Sequence, residues 1–174
     1  FNKSLYIKDI LAHTFAFSKL QSSKLPILVA RDSRISGKEI SESVIDYLIK
    51  NNRDVIDCDI IPTPTAQFIV DKFEIAGAIV ITASHNPIDW NGMKFIDQDG
   101  TFLSPKKNKE LFKIATTFNF PSTTKYDKKN ISKFIESIDS HINNVCNLSF
   151  INLDKIKKRK FKIVIDTING ASCV

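Results

Sequence analysis

Two short polar segments carry the side chains in this sequence that could do chemistry. One is Arg31-Asp32-Ser33-Arg34-Ile35-Ser36-Gly37, the other Thr82-Ala83-Ser84-His85-Asn86-Pro87. Each directly follows an apolar run, so each reads as a loop at the carboxyl end of a strand, where open α/β sheets bind ligands. Ser84 is the best candidate nucleophile. Its small neighbours Thr82 and Ala83 leave the hydroxyl clear, and Pro87 stops the strand from continuing. A serine hydrolase is not indicated, because Ser84 has no G-x-S-x-G elbow and Gly77 lies too far upstream. His85 is adjacent in sequence, a poor position for a base acting on Ser84 but a good one for binding a phosphate oxygen. Lys94 follows Asn91-Gly92, where the glycine permits a tight turn back toward Ser84. An ammonium there could neutralise phosphate or, if desolvated, carry a proton. The bland readings stand beside these: an ion-pair network capping a helix for Arg31 to Arg34, a solvated surface lysine for Lys94, and no role for the Ser-His pair.

These loops need elements to hold them. Pro26 to Ala30 and Ala76 to Ile81 are continuous apolar runs, as expected for strands buried on both faces, and Val55 to Ile61 also has strand character. Helical spacing appears in Ile7, Ile10, Leu11 and Phe15, and again in Ile40, Val44, Ile45, Leu48 and Ile49. Pro64 suits the first turn of a helix carrying Phe68, Ile69 and Phe73. Asp99-Gly100 predicts a hairpin between Lys94-Phe95-Ile96 and Thr101-Phe102-Leu103. Ser104 and Pro105 read as the N-cap and first residue of a helix reaching about Thr116. Residues 118–130 read as a loop, and Ile131 to Cys146 as one helix with Phe134, Ile135, Ile138 and Ile142 on a face. Lys155 to Lys162 holds six basic residues in eight. Phe161 to Ile165 then reads as a new strand opening a second domain. Alternating strands and helices predict an α/β layer fold.

Composition narrows the class. Of 174 residues, 43% are hydrophobic and 25% charged, the balance of a globular chain and not of a disordered one. No apolar run reaches the ~18 residues of a membrane-spanning helix. The first residues lack the pattern of a secretory signal, so a cytoplasmic location is expected. A start at Phe1 leads to the expectation that residues precede it. Cys58, Cys146 and Cys173 match no metal-ligand spacing, and an odd count argues for reduced thiols. His13, His85 and His141 form no zinc-type pair. The net charge of +6 suits an anionic partner, a nucleic acid or a phosphorylated small molecule. The basic cluster at Lys155 to Lys162 lacks interleaved aromatics or a recognised motif, so it reads as a solvated helix end and linker before it reads as a nucleic-acid site.

Four segments in order resemble one family. Ile81 to Pro87 followed by Trp90-Asn91-Gly92-Met93-Lys94-Phe95 is similar to the phosphoserine loop of the α-D-phosphohexomutase superfamily. That superfamily includes phosphoglucomutase, phosphomannomutase and phosphoglucosamine mutase. Ala30 to Gly37 is similar to another signature of its first domain. Pro62-Thr63-Pro64-Thr65 stands at its PTP segment, and Asp166 to Ala171 resembles the start of its second domain. The resemblance implies a three-layer α/β/α domain with a mixed sheet over residues 1–150. Residues 151–174 would then form a linker and the first strand of a second, similar domain.

The same resemblance implies a phosphohexomutase interconverting hexose 1- and 6-phosphates through a phosphoserine and a bisphosphorylated sugar. Ser84 would carry the phosphoryl group, Lys94 would do acid/base work and His85 would help hold phosphate. Arg31, Arg34 and Asn86 would bind phosphate or substrate. One Mg²⁺ per site would sit on the phosphoserine and on ligands outside this chain, with a hexose 1,6-bisphosphate as activator. The partner would be a phosphorylated hexose, with no membrane involved and a homo-oligomer left open. The Trp90 to Phe95 variant leans toward bacterial and archaeal phosphoglucosamine or phosphomannose/phosphoglucose mutases. The family's early Gly-Ile-Arg-Gly segment and its aspartate metal loop are not in this sequence, and Ser172 replaces a usual glycine. The 174-residue chain alone is therefore expected to be inactive. The alternatives are a non-catalytic paralogue, an isolated scaffold domain and a basic nucleic-acid-binding module.

Overall fold

A computed structural model describes residues 6–21, 23–119 and 131–173. Five strands form one mixed sheet between helices. In chain order the elements are α1 (Ile7–Leu20), β1 (Ile27–Arg31), α2 (Gly37–Lys50), β2 (Val55–Ile60), α3 (Thr63–Lys72), β3 (Gly77–Ile81) and β4 (Met93–Ile96). They continue with α4 (Pro105–Ala115), β5 (Ile131–Lys133), α5 (Ser137–Cys146) and α6 (Leu153–Lys158). The strand order is β4-β3-β1-β2-β5. The β3–β4 pair is antiparallel and the other three strand pairs of the sheet are parallel.

The period-two alternation of strand side chains divides the core into two layers. Ile27, Val29, Ile79 and Ile81 point to one face, where they meet Phe17 of α1, Val44 and Leu48 of α2, and Leu111 of α4. Leu28, Ala30, Ala78 and Val80 point to the other, against Ala66, Ile69 and Val70 of α3. Both faces of β1 and β3 are therefore covered, and the continuous apolar runs follow from that.

Several elements form as their residues dictate. The Ser104 hydroxyl accepts the Lys107 N–H at 3.3 Å, and Pro105 fills the first turn of α4. Pro64 sits in the first turn of α3. In α1 the buried residues are Ile10, Ala12, Thr14, Ala16 and Phe17, so the face extends beyond the predicted stripe. This helix packs against both α2 and α4. Ala12 and Ala16 are the small residues of that face, while Ile7 is left 48% exposed.

Two predictions need correction. Ile131 to Cys146 is not one helix: Ile131–Lys133 pairs in parallel with β2, and α5 begins only at Ser137. The free edge of β2 offers the backbone of Ile131 and its neighbours hydrogen-bond partners 76 positions away in register (Val55 with Ile131), which no local periodicity reports. Phe134 and Ile138 pack on the core, whereas Ile135 and Ile142 are exposed. The hairpin after β4 forms as expected on the free edge of that strand: the Asp97 N–H donates to the Thr101 carbonyl at 2.7 Å and the Leu103 N–H to the Phe95 carbonyl at 3.2 Å, with Ile96 bridged to Phe102. Phe161 to Ile165 forms no strand and takes no place in the sheet. An extended segment without a partner strand has no ladder to join. The first part of the basic cluster is a solvated helix end, as expected: it closes α6, whose Asn152 Oδ1 accepts the Lys155 N–H at 2.9 Å.

Candidate active site

β1 and β3 lie side by side in parallel register, with Arg31 opposite Ile81. Their following loops therefore emerge together at one edge of the sheet. The Asp32 N–H donates to the Ile81 carbonyl at 2.9 Å, and the Thr82 N–H donates to the Gly92 carbonyl at 3.0 Å. These bonds tie the Ser84 loop to its neighbours on both sides. Gly92 contributes space and not a left-handed turn, since a Cβ there would stand 3.3 Å from the Thr82 carbonyl oxygen.

Ser84 is exposed and adopts φ 57°, the left-handed region that a non-glycine residue enters only when its surroundings hold it there. A chain of hydrogen bonds does so. The Ser84 N–H donates to Thr82 Oγ1 at 3.0 Å, and that hydroxyl donates to Asp32 Oδ2 at 2.7 Å. Asp32 also accepts the Arg34 backbone N–H on Oδ1 and the Arg34 Nε–H on Oδ2, both at 3.0 Å. The remaining Arg34 donors reach back across the loop. Nη1 donates to the Pro87 carbonyl at 2.5 Å and to the Trp90 carbonyl at 3.1 Å. Nη2 donates to the Ser84 carbonyl at 2.9 Å and to the Asn86 carbonyl at 2.8 Å.

Of the other predicted residues, His85 and Asn86 belong to this loop, whereas Arg31 and Lys94 find their partners elsewhere. His85 Nδ1 lies 3.3 Å from Ser84 Oγ and is the partner the structure gives that hydroxyl. The Asn86 side-chain amide donates to the Ala83 carbonyl at 2.7 Å, closing its own turn. Arg31 is directed to the neighbouring strand, with Nη2 2.6 Å from Asp59 Oδ1 of β2 and Nη1 3.3 Å from the Asp32 carbonyl. Lys94 stands on β4 opposite Val80, with Nζ 5.7 Å from the centre of the Phe102 ring. Its ammonium is thus held against an aromatic face. Asp32 and Thr82, which sequence reasoning did not single out, are the anchor of the arrangement. The aspartate was visible as a partner for Arg34, but Thr82 was legible only as a small neighbour of Ser84.

A cavity of about 520 Å³ opens beside the loop, lined by Asp32, Arg34, Thr82, Ser84 and Asn86, by apolar side chains such as Ile61 and Ile88, and, from the other side, by residues 168–171. The Ser33 hydroxyl donates to the Asn169 carbonyl at 2.6 Å and so joins the two walls. Cys58 is not part of this chemistry. Burial, with the Asp57 carboxylate adding to it, pushes its thiol up to about 12, so it is an inert core residue. Among the described residues, no group of three or more His, Cys, Asp or Glu could hold a metal ion, and no helix is long and apolar enough to cross a membrane.

The family description "phosphoglucomutase/phosphomannomutase, alpha/beta/alpha domain I" matches residues 2–121. The chain belongs to the phosphoglucomutase/phosphomannomutase family. It is 30% identical over 175 residues to a phosphoglucosamine/phosphogalactosamine mutase of Sulfurisphaera tokodaii, covering 99% of this chain and 38% of that protein. It is 34% identical over 152 residues to a phosphoglucomutase/phosphomannomutase of Thermococcus kodakarensis, covering 83% of this chain and 31% of that protein. A phosphoglucomutase/phosphomannomutase family protein of Burkholderia thailandensis shares the fold with a TM-score of 0.67 at 24% identity, over 83% of this chain and 32% of that one. The chain thus spans about a third of the length of these relatives. In this member of the family, the mixed sheet presents the Ser84 loop at the carboxyl ends of its central strands.

Proposed function

We propose that the full protein is a phosphohexomutase that carries a phosphoryl group on Ser84. The observation that supports this most directly is an exposed serine, held in the left-handed conformation at a strand end, lining a cavity, in a chain of this family. In the first step the bond between Ser84 Oγ and phosphorus breaks, and a new bond forms from phosphorus to the free hydroxyl of a hexose monophosphate. The sugar hydroxyl gives up its proton to a base and Oγ takes one up. In the second step the bisphosphorylated sugar, reoriented, returns its other phosphoryl group to Oγ, and the proton movements reverse. Each transfer moves the phosphoryl group from one hydroxyl oxygen to another, so little energy separates the two states. What the site must supply is in-line placement and charge neutralisation.

Lys94 is the proposed proton carrier, and His85 a holder of phosphoryl oxygens next to Ser84. Mg²⁺, when bound, would neutralise charge on the transferring group. In this chain the phosphorylated Ser84 would offer it a ligand. The substrates would be hexose phosphates of the glucosamine, glucose or mannose type, with the hexose 1,6-bisphosphate priming the serine. The protein would work in the cytoplasm.

A coupled mutase assay on the full-length protein tests this. Turnover of a hexose 1-phosphate in the presence of Mg²⁺ is expected, and Ser84→Ala should abolish it. Retained turnover in that variant would overturn the reading.

A further inference from the structure

We infer that Arg34 is a positioning residue that shapes the Ser84 loop through its backbone carbonyls and does not bind substrate phosphate. The inference rests on the reading of Ser84 as the phosphoryl carrier. A guanidinium has five N–H donors in a planar fork. In Arg34 every one has an acceptor: Asp32 Oδ2 for Nε, the Pro87 and Trp90 carbonyls for Nη1, and the Ser84 and Asn86 carbonyls for Nη2. The side chain is only 10% exposed, and its charge is already offset by Asp32. A phosphate oxygen could bind here only by displacing loop carbonyls, and that would dismantle the loop carrying the serine.

The geometry also says what the clasp is for. Ser84 is held on both sides. Its N–H goes to Thr82 Oγ1 and its carbonyl to Arg34 Nη2, and both of those partners converge on Asp32. The left-handed backbone at Ser84 is unfavourable for a residue with a Cβ. These bonds stabilise it and so fix the position of Oγ, which stands 3.3 Å from His85 Nδ1. Lysine would keep the charge at this position. It cannot reach carbonyls spread over Ser84, Asn86, Pro87 and Trp90, because its donors share one nitrogen.

Arg34→Lys therefore separates the two roles. In hydrogen-exchange mass spectrometry of the full-length protein, exchange in peptides covering residues 82–92 should speed up about tenfold or more, the factor expected when charge-assisted hydrogen bonds are lost. The mutase kcat should fall by about 10–100-fold, with KM for the hexose phosphate within about twofold, the signature of misplaced reacting groups. Thr82→Val removes the other tie to Ser84 without touching a charge, and should show the same pattern in milder form. Unchanged exchange in the loop together with a raised KM in Arg34→Lys would overturn the inference. If Arg34→Lys loses protection in core strands as well, Thr82→Val decides: unchanged loop exchange in that variant overturns it. A wild-type protein without mutase turnover would sink the functional reading, and the exchange data alone would still settle the role of Arg34.

Discussion

β3 and residues 161–165 are written in nearly the same alphabet, Gly-Ala-Ile-Val-Ile against Phe-Lys-Ile-Val-Ile, and they end in opposite environments. Every residue of β3 is buried between β1 and β4. In the later segment Ile163 is 72% exposed, Val164 99% and Ile165 77%. Strand character is therefore a property of the residues, whereas burial is a property of the partners they find. The Ser84 loop depends on the first situation. It follows β3 directly, and the rigidity of that central strand, paired on both edges, fixes where the loop begins.

The comparison breaks most visibly if the core half is cut. Ile79→Ala removes a fully buried side chain facing α1, α2 and α4, and should destabilise the domain by about 2–5 kcal/mol in urea unfolding. Gly77→Ala comes next. Gly77 has φ 150°, and a Cβ there would lie 2.6 Å from the Ile96 carbonyl oxygen and 2.9 Å from the Phe17 ring. A cost of about 1–3 kcal/mol is expected from strain alone, read by the same unfolding curves.

A smaller effect sharpens the comparison at the far end of β4. Burial tends to raise the Asp97 carboxyl, but hydrogen bonds from Lys107, Gln21 and the Gln98 N–H overcome that and hold it below the usual carboxylate range. The carboxylate accepts Lys107 Nζ at 2.5 Å and Gln21 Nε2 at 3.3 Å, tying the strand end to α4 and to the residue after α1. A depressed folded-state value means that the unfolded chain takes up the proton more readily. The stabilisation is then complete above about pH 4 and is lost as pH falls through the folded value. Asp97→Asn should flatten this acid limb in thermal melts between about pH 5 and pH 2 while altering little else there. The smallest effect belongs to the exposed half. Val164→Ala in this chain should shift stability by less than about 0.5 kcal/mol, because nothing packs on that side chain. A large effect there would show that the segment has a partner after all.

The same contrast explains what could be read from the residues. β1 and β3 were legible because double-sided burial demands unbroken apolar runs, and the cap at Ser104 because capping is local. β5 was not legible, since three residues are too few for a period and their partner is the distant edge of β2. At the candidate site, Ser84 was legible as a polar residue at a strand end with a proline three positions on. The clasp by Arg34 was not, because its acceptors at residues 84, 86, 87 and 90 are main-chain carbonyls that leave no side-chain signature. Arg31, which the residue pattern treats as equivalent to Arg34, turns to Asp59 in the fold.

The central claim is that Ser84 carries the phosphoryl group. Its most direct test is peptide mapping by mass spectrometry of the full-length protein after incubation with a hexose 1,6-bisphosphate and Mg²⁺. The account predicts a single phosphate on the peptide containing Ser84, absent from the Ser84→Ala variant and discharged on addition of a hexose monophosphate. Phosphate on another residue, or a Ser84 peptide that stays unmodified while the enzyme turns over, would contradict it.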